Sequence, residues 1–127
     1  MPQVVLQLLA GEYAICRLAP DEPVPPWAGS AVYSGHIRTA DELSVVCPAA
    51  QVPAGVQHEG GWCLFKFRGP FSFTATGILS SVLAPLAAAG VGILAQSTFD
   101  TDYLFVKAGQ REGAVRALEA AGHAVQR

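Results

Sequence analysis

The amino-acid sequence predicts an α+β protein whose antiparallel sheets carry their helices on one face. Apolar runs rich in β-branched and aromatic residues recur along the 127-residue chain, which is typical of strands. Two stretches, residues 77–89 and 110–121, repeat their apolar positions at helical spacing. Glycine- and proline-rich segments separate these elements, as expected for turns between short strands and helices.

Residues 4–18 predict two strands with a turn at Gly11. The segment contains two apolar runs, VVLQLL and YAICRL, and glycine is a common break between such runs. Four prolines follow within residues 20–27. Because proline fixes φ and lacks an N–H donor, we expect at most a short helix there.

The next elements lead to a predicted boundary near the middle of the chain. Residues 31–37 and 43–47 are short strand candidates joined by turn-forming residues, so they are expected to pair as a hairpin. Residues 48–60 are poor in hydrophobic residues and rich in proline and glycine. This composition divides the chain into two predicted units, residues 1–60 and residues 61–127.

The second predicted unit has the clearer pattern. Residues 61–68 are typical of a buried strand, and the helix that follows is expected to end at Gly90, which supplies a left-handed stop. Pro85 lies inside that helix and removes one backbone hydrogen bond to the carbonyl of Ser81. The remaining predicted elements are strands at residues 91–95 and 103–106, a helix at 110–121 and a last strand at 124–126.

The order β, α, β, β, α, β is the split βαβ arrangement of ferredoxin-like folds. In such a fold both helices cover one face of the sheet and the other face stays open. Half of the residues are hydrophobic (51%) and only 14% are charged, so part of the surface is expected to be covered by a sister subunit. We therefore expect a homo-oligomer.

Charge and cysteine content exclude several classes of function. The formal net charge is −2 and the basic residues are scattered, so the sequence predicts no nucleic-acid binding. No apolar run approaches the roughly 20 residues of a membrane span, which predicts no membrane association. Cys16, Cys47 and Cys63 are isolated in apolar runs without metal-ligand spacing, so they are expected to be buried free thiols of a cytoplasmic protein.

Two segments carry a family resemblance. Residues 69–79 contain GPFSFTATGIL and residues 90–106 contain GVGILAQSTFDTDYLFV. Both resemble the ACT domain, specifically the small tandem-ACT proteins related to the regulatory region of aspartate kinases and to the CASTOR arginine sensors. GEYAICRL at residues 11–18 and RTADELSVVCP at 38–48 extend the resemblance to most of the chain. It implies two ferredoxin-like ACT units, the first with a reduced helix.

The resemblance implies an amino-acid ligand held where the first strand of an ACT unit meets its first helix, against a neighbouring unit. A helix N-terminus attracts a carboxylate, and glycines allow close approach to the backbone. The acidic, hydroxyl-rich turn at residues 97–102 suits the ammonium group. The predicted ligand-binding residues are Gly69, Phe71, Phe73, Thr76, Gly77, Ile78, Ser97, Thr98, Phe99, Asp100, Thr101 and Asp102.

Simpler interpretations of the same residues stay open from the sequence. Phe71 and Phe73 fit core packing at a strand end as well as a pocket wall, and the polar turn can satisfy its own backbone. Asp100 and Asp102 are also a possible carboxylate pair for acid–base catalysis or a hard metal ion. Because no third ligand or nucleophile accompanies them, we predict no catalytic residues, no metal site and no cofactor.

The sequence therefore predicts a non-enzymatic regulatory protein that senses a free amino acid at the interface between ACT units. Ligand binding there is expected to shift a geometry that a regulated partner protein reads. The alternative is a ligand-free structural module for dimerisation, in which side chains fill the groove.

Overall fold

The computed structural model describes residues 2–127, which form seven strands and two α-helices. The strands are β1 (Val5–Leu18), β2 (Gly35–Arg38), β3 (Leu43–Pro48), β4 (His58–Phe67), β5 (Leu94–Ser97), β6 (Asp102–Lys107) and β7 (Ala124–Gln126). The helices are α1 (Ile78–Ala88) and α2 (Arg111–Ala120), and three single-turn 3-10 helices occupy Pro26–Ala28, Ala49–Gln51 and Ala108–Gln110. The fold is mixed α+β, as the sequence predicts.

The structure divides the chain into two compact units whose bounds differ from the predicted ones. One unit combines the segment that ends at Ala10 with Cys63–Arg127, and the other is Gly11–Trp62. The expected division at residue 60 lies close to the observed bound between Trp62 and Cys63. The bound between Ala10 and Gly11 was not expected. The first strand runs through Gly11 without the predicted turn, and so it contributes to both units.

In the unit of Cys63–Arg127, the start of β1 lies between β7 and β4, and β6 and β5 follow β4. The Arg68 N–H donates to the Val5 carbonyl (2.8 Å), and the Ala124 N–H donates to the Val4 carbonyl (3.1 Å). The predicted last strand exists, but it pairs with β1 in parallel, at Val5 opposite Ala124. The expectation of purely antiparallel sheets is therefore wrong at this pair, since β1 occupies the place beside β4.

Both helices of this unit contribute to a single apolar core. Alternate residues of β4, among them Phe65 and Phe67, are fully buried with Val82 and Leu86 of α1 and Leu118 of α2. Side chains of one strand alternate between faces, so the two helices cover the same face of the sheet.

Helix α1 ends as the sequence predicts, and its internal proline has an unexpected partner. Gly90 has a left-handed φ of +73° directly after the helix. Pro85 cannot donate to the Ser81 carbonyl, and that carbonyl instead accepts a hydrogen bond from Nε2 of the buried His123 at 2.8 Å. Nδ1 of the same ring accepts the Val4 N–H at 3.0 Å. His123 therefore joins α1 to Val4, the residue before β1, which its position after the last helix did not predict.

The unit of Gly11–Trp62 is built from strands and 3-10 turns, without an α-helix. The end of β1 pairs with β3 in antiparallel register, from Tyr13 opposite Pro48 to Leu18 opposite Leu43. β2 pairs with β3, which confirms the predicted hairpin. Its small core contains Cys16, Cys47 and Val45.

The three cysteines are buried and free, as predicted. Burial raises the pKa of the Cys16 thiol to about 11, and the neighbouring Cys47 acts in the same direction. Burial also raises the pKa of the Cys47 thiol, so Cys16 and Cys47 are held in the protonated, unreactive form at neutral pH.

Candidate functional site

Two segments that the sequence separates by about thirty residues lie side by side in the structure: the loop between β4 and α1, and the turn between β5 and β6. The Phe71 N–H donates to the Asp100 carbonyl at 2.8 Å. The hydroxyl of the buried Thr101 donates to the Phe67 carbonyl at 2.7 Å. Backbone and side-chain hydrogen bonds thus fix the loop to the turn.

Gly69 is required where the two segments meet. A Cβ atom at this position would lie 2.9 Å from the Asp100 carbonyl oxygen and 3.1 Å from the Thr101 Cβ. The peptide bond between Gly69 and Pro70 is cis. Close approach of two backbones therefore explains this glycine, where the sequence analysis assigned it to the approach of a ligand.

Most polar groups of the turn satisfy one another. The Thr98 N–H donates to the Thr101 carbonyl (2.8 Å), and the Thr101 N–H donates to the Thr98 hydroxyl (3.2 Å). The Ser97 hydroxyl donates to the Asp102 carboxylate. Asp100 differs, because within residues 2–127 neither a hydrogen bond nor an ion pair engages its carboxylate.

A groove of about 200 Å³ lies between the loop and the turn. Phe73 and Phe99 stand at its border with their ring centroids 5.0 Å apart and their planes nearly perpendicular. These side chains are 76% and 80% exposed, so core packing does not explain Phe73. Phe71 packs against the apolar core while it also lines the groove. The groove brings together eight of the twelve predicted site residues: Phe71, Phe73, Ser97, Thr98, Phe99, Asp100, Thr101 and Asp102.

The predicted residues at the start of α1 have a different position. Thr76, Gly77 and Ile78 line neither this groove nor the larger cavity described next. Gly77 caps the helix with a left-handed φ of +77°, and Ile78 packs against the core. A side chain at Gly77 would thus strain the backbone, whatever its effect on a ligand.

On the other side of the turn lies a cavity of about 410 Å³ that sequence reasoning did not find. Gly69, Thr98, Asp100 and Thr101 form one wall. The residues not predicted to belong to a site are Gln7 of β1, Lys66 of β4, Arg68 and Pro70 next to β4, and Tyr103 of β6.

Lys66 and Arg68 are not among the site residues that the sequence predicts. The sequence did contain a signal for their position. Lys66 and Arg68 alternate with Phe65 and Phe67, which places both cations on the sheet face opposite the helices. Within the described part of the chain, neither side chain forms an ion pair. The Arg68 guanidinium donates to the neutral amide oxygen of Gln126 at 2.6 Å. The cavity is therefore lined by two positively charged side chains that form no ion pair within residues 2–127.

Neither a metal site nor a membrane-spanning helix is present in residues 2–127. Three or more His, Cys, Asp or Glu side chains do not come together there in an arrangement that holds a metal ion. Each described helix is too short or too polar to cross a bilayer.

Comparison with known families decides the classification. A family model described as ACT domain matches residues 57–120, which include the loop, the turn and both α-helices. The chain belongs to the ACT-domain family. Residues 11–55 match a separate model for an N-terminal domain, and this range lies within the unit of Gly11–Trp62. A search of curated proteins found no match.

Solved structures show the same fold. The protein Atu0741 from Agrobacterium tumefaciens is 42% identical and superposes with a TM-score of 0.93, over 98% of this chain and 93% of that one. The ligand-free regulatory subunit of aspartate kinase from Thermus thermophilus is 12% identical, with a TM-score of 0.61 over 92% of this chain and 97% of that one. Aspartate kinase from Clostridium acetobutylicum, described as an allosteric enzyme, is 13% identical with a TM-score of 0.64, and the match covers 93% of this chain and 34% of the kinase.

The resemblance stated from the sequence is thus confirmed at the level of the family and the fold. ACT domains are in general regulatory domains that bind small molecules. The loop and the turn of the candidate site lie within the region that the ACT-domain model matches.

Proposed function

We propose that this ACT-domain protein is a non-catalytic regulator that binds a free amino acid at the turn between β5 and β6. The observation that carries the proposal is the Asp100 carboxylate. It lines both the groove and the cavity and has no partner within residues 2–127. An ammonium group is a suitable counterion, because a charge-assisted hydrogen bond is about twice as strong as a neutral one.

Of the two aspartates in the turn, Asp100 is better placed than Asp102 to bind an ammonium group. The Asp102 carboxylate already accepts the Ser97 hydroxyl, so a ligand has to compete with that bond. Asp100 lies at the exposed tip of the turn, where a ligand reaches it without breaking a contact of the protein.

The exposed aromatic pair supports a second part of the proposal, that the protein acts as a homo-oligomer. Phe73 and Phe99 are large apolar side chains at the border of the groove, and both are mostly exposed. Exposed apolar patches mark interaction sites in soluble proteins. We propose that a second copy covers this pair, which places the ligand near an interface between ACT units.

The turn connects the ligand to that interface. Its residues form one wall of the cavity and also part of the groove next to Phe99. An amino acid that binds Asp100 stabilises one conformation of the turn and thereby changes how Phe99 meets the second copy. A regulated partner protein then responds to the altered assembly. The buried free thiols suit a reducing compartment, so we propose a cytoplasmic location.

A thermal-shift experiment with each of the twenty standard amino acids tests the proposal. At a ligand concentration one hundred times Kd, binding stabilises the folded protein by about 2.7 kcal/mol, which is a shift of several degrees in Tm. The variant Asp100→Asn should lose most of this shift. Asp21→Asn, an exposed aspartate of the other unit, is the matched control and should keep it.

The second candidate function is the ligand-free dimerisation module. Phe73 and Phe99 favour it as well, because an exposed aromatic pair is sufficient for self-association. If all twenty amino acids at millimolar concentration leave Tm unchanged while sedimentation shows a dimer that Phe99→Ser dissociates, the dimerisation module replaces the amino-acid sensor.

A further inference from the structure

We infer that the ligand of this protein is an acidic amino acid, with two carboxylates and one ammonium group. This inference rests on the proposed function, because it specifies the amino acid that binds at the turn. The evidence is the charge of the cavity, where Lys66 and Arg68 face the region that Asp100 also lines.

The two cations are arranged by the strand. Lys66 is the penultimate residue of β4 and Arg68 follows the strand directly, so the two residues are separated by one position. Residues i and i+2 of an extended chain point to the same side and lie roughly 7 Å apart. The intervening Phe67 is buried in the core on the helix side. The fold thus holds both cations on one side of the sheet.

Neither cation forms an ion pair within residues 2–127. In the part of the chain that the structure describes, the Lys66 ammonium group has no hydrogen-bond or ion-pair partner. The Arg68 side chain donates one hydrogen bond, to the amide oxygen of Gln126. A guanidinium carries five N–H donors, so the other donors of Arg68 are available to a ligand. Arginine is suited to bind carboxylate through two parallel hydrogen bonds, so a carboxylate ligand has donors available.

The charges of the cavity select one class of amino acid. Its charged lining residues are Lys66, Arg68 and Asp100, two cations and one anion. An acidic amino acid carries the complementary set. A neutral amino acid leaves one cation without a partner, and a basic one brings a second positive charge next to two cations. The volume of about 410 Å³ is within the range of small-molecule sites.

The experiment is calorimetric titration of the full chain with L-glutamate and L-aspartate, compared with L-glutamine and L-asparagine. The amides have nearly the same shape but lack one negative charge. We expect glutamate or aspartate to bind at least tenfold more tightly than its amide. Lys66→Gln and Arg68→Gln should each weaken that binding about tenfold or more.

The controls separate charge from folding. Arg116→Gln removes an exposed arginine of α2 that does not line the cavity, and it should bind glutamate like the unmodified protein. Lys66 and Arg68 are not core residues, so their variants should melt within a few degrees of the parent in the absence of ligand. Glutarate, which lacks the ammonium group, should bind more weakly than glutamate.

Each contrary result has a distinct meaning. If glutamine or lysine binds as tightly as glutamate, or if Lys66→Gln and Arg68→Gln bind glutamate normally, the inference is wrong and the proposed function stands. If glutarate binds as tightly as glutamate, the assignment of the ammonium group to Asp100 is wrong. If no amino acid binds, both the inference and the proposed function fail.

Discussion

The two units of the chain differ in the element that comes after their first long strand segment. In the unit of Cys63–Arg127, β4 leads into a loop and helix α1. In the unit of Gly11–Trp62, β1 leads into the proline-rich segment, where only the single turn Pro26–Ala28 is helical. Proline removes the donors that a longer helix needs, so the backbone acceptors of this segment require another partner.

In each unit a side chain from a distant part of the sequence donates to backbone carbonyls that lie near prolines. In the unit of Gly11–Trp62, the Gln51 amide donates to the carbonyls of Trp27 (2.7 Å) and Gly29 (2.8 Å). In the other unit, His123 donates to the carbonyl that Pro85 leaves free. Proline thus has different consequences in the two units. The prolines of residues 20–27 leave room for only a single helical turn, whereas Pro85 is accommodated inside α1, in the unit that also contains the candidate site.

The largest effect is expected from His123→Ala. The substitution leaves the Ser81 carbonyl and the Val4 N–H without their partners in a buried position. Each lost partner costs about 1–3 kcal/mol, so we expect a loss of about 2–4 kcal/mol in the free energy of unfolding, measured by urea denaturation.

A double-mutant cycle identifies the cause of that loss. Pro85→Ala restores an N–H donor for the Ser81 carbonyl, so His123→Ala should cost less in the Pro85→Ala background. An equal cost in both backgrounds would show that the histidine does not serve the carbonyl freed by Pro85.

Gly69→Val tests the contact between loop and turn. The new Cβ meets the Asp100 carbonyl oxygen at 2.9 Å, so we expect a loss of about 1–3 kcal/mol in unfolding free energy. Gly29→Val is the matched control in the other unit, because Gly29 has extended dihedral angles and a Cβ added there would have no atom within 4 Å. A similar loss of unfolding free energy for Gly69→Val and Gly29→Val would show that the close approach of loop and turn does not require a glycine at position 69.

Gln51→Ala tests the side-chain hydrogen bonds to the Trp27 and Gly29 carbonyls in the unit of Gly11–Trp62. It removes two hydrogen bonds, but these carbonyls are less buried than those around His123. Water therefore replaces part of the lost bonding, and we expect a loss of about 1 kcal/mol. Chemical denaturation of Gln51→Ala and His123→Ala under the same conditions compares their losses of unfolding free energy. A larger loss for Gln51→Ala than for His123→Ala would contradict the expected order.

The smallest effect is expected at the surface of α2. Hydrogen bonds from Arg127 lower the pKa of the Glu112 carboxyl from 4.5 to about 2. A lowered folded-state pKa gives stability that is present above the unfolded pKa and is lost as the pH falls toward 2. Glu112→Gln should therefore lower Tm slightly at pH 7, and this difference in Tm should shrink as the pH falls below 4.5 and vanish once the pH has fallen through about 2. A difference in Tm that is independent of pH would contradict this account.

The sequence was informative wherever local chemistry decided the structure. The apolar periods predict α1 and α2, Gly90 marks the end of α1, and the hairpin of β2 and β3 follows from two short apolar runs around a turn. The loop and the turn of the candidate site were also identified, since glycines, hydroxyls and carboxylates cluster in both.

Features that depend on distant pairing were not predictable. The parallel pair of β1 and β7 joins residues about 120 positions apart, and a local pattern does not contain this information. Spacing also does not show that Ser97 engages Asp102 and leaves Asp100 open. Lys66 has the sequence pattern of an ordinary surface charge, and only the fold places it beside the turn that encloses the cavity.

The most direct measurement of the central claim is a nuclear magnetic resonance titration of the ¹⁵N-labelled protein with the amino acid that raises Tm most. If that ligand binds at the turn, the amide signals of Thr98, Asp100 and Thr101 should shift most, together with Gly69 across the loop. Signals of the unit Gly11–Trp62 should move little. Shifts concentrated in Gly11–Trp62, or none at saturating ligand, would contradict the account.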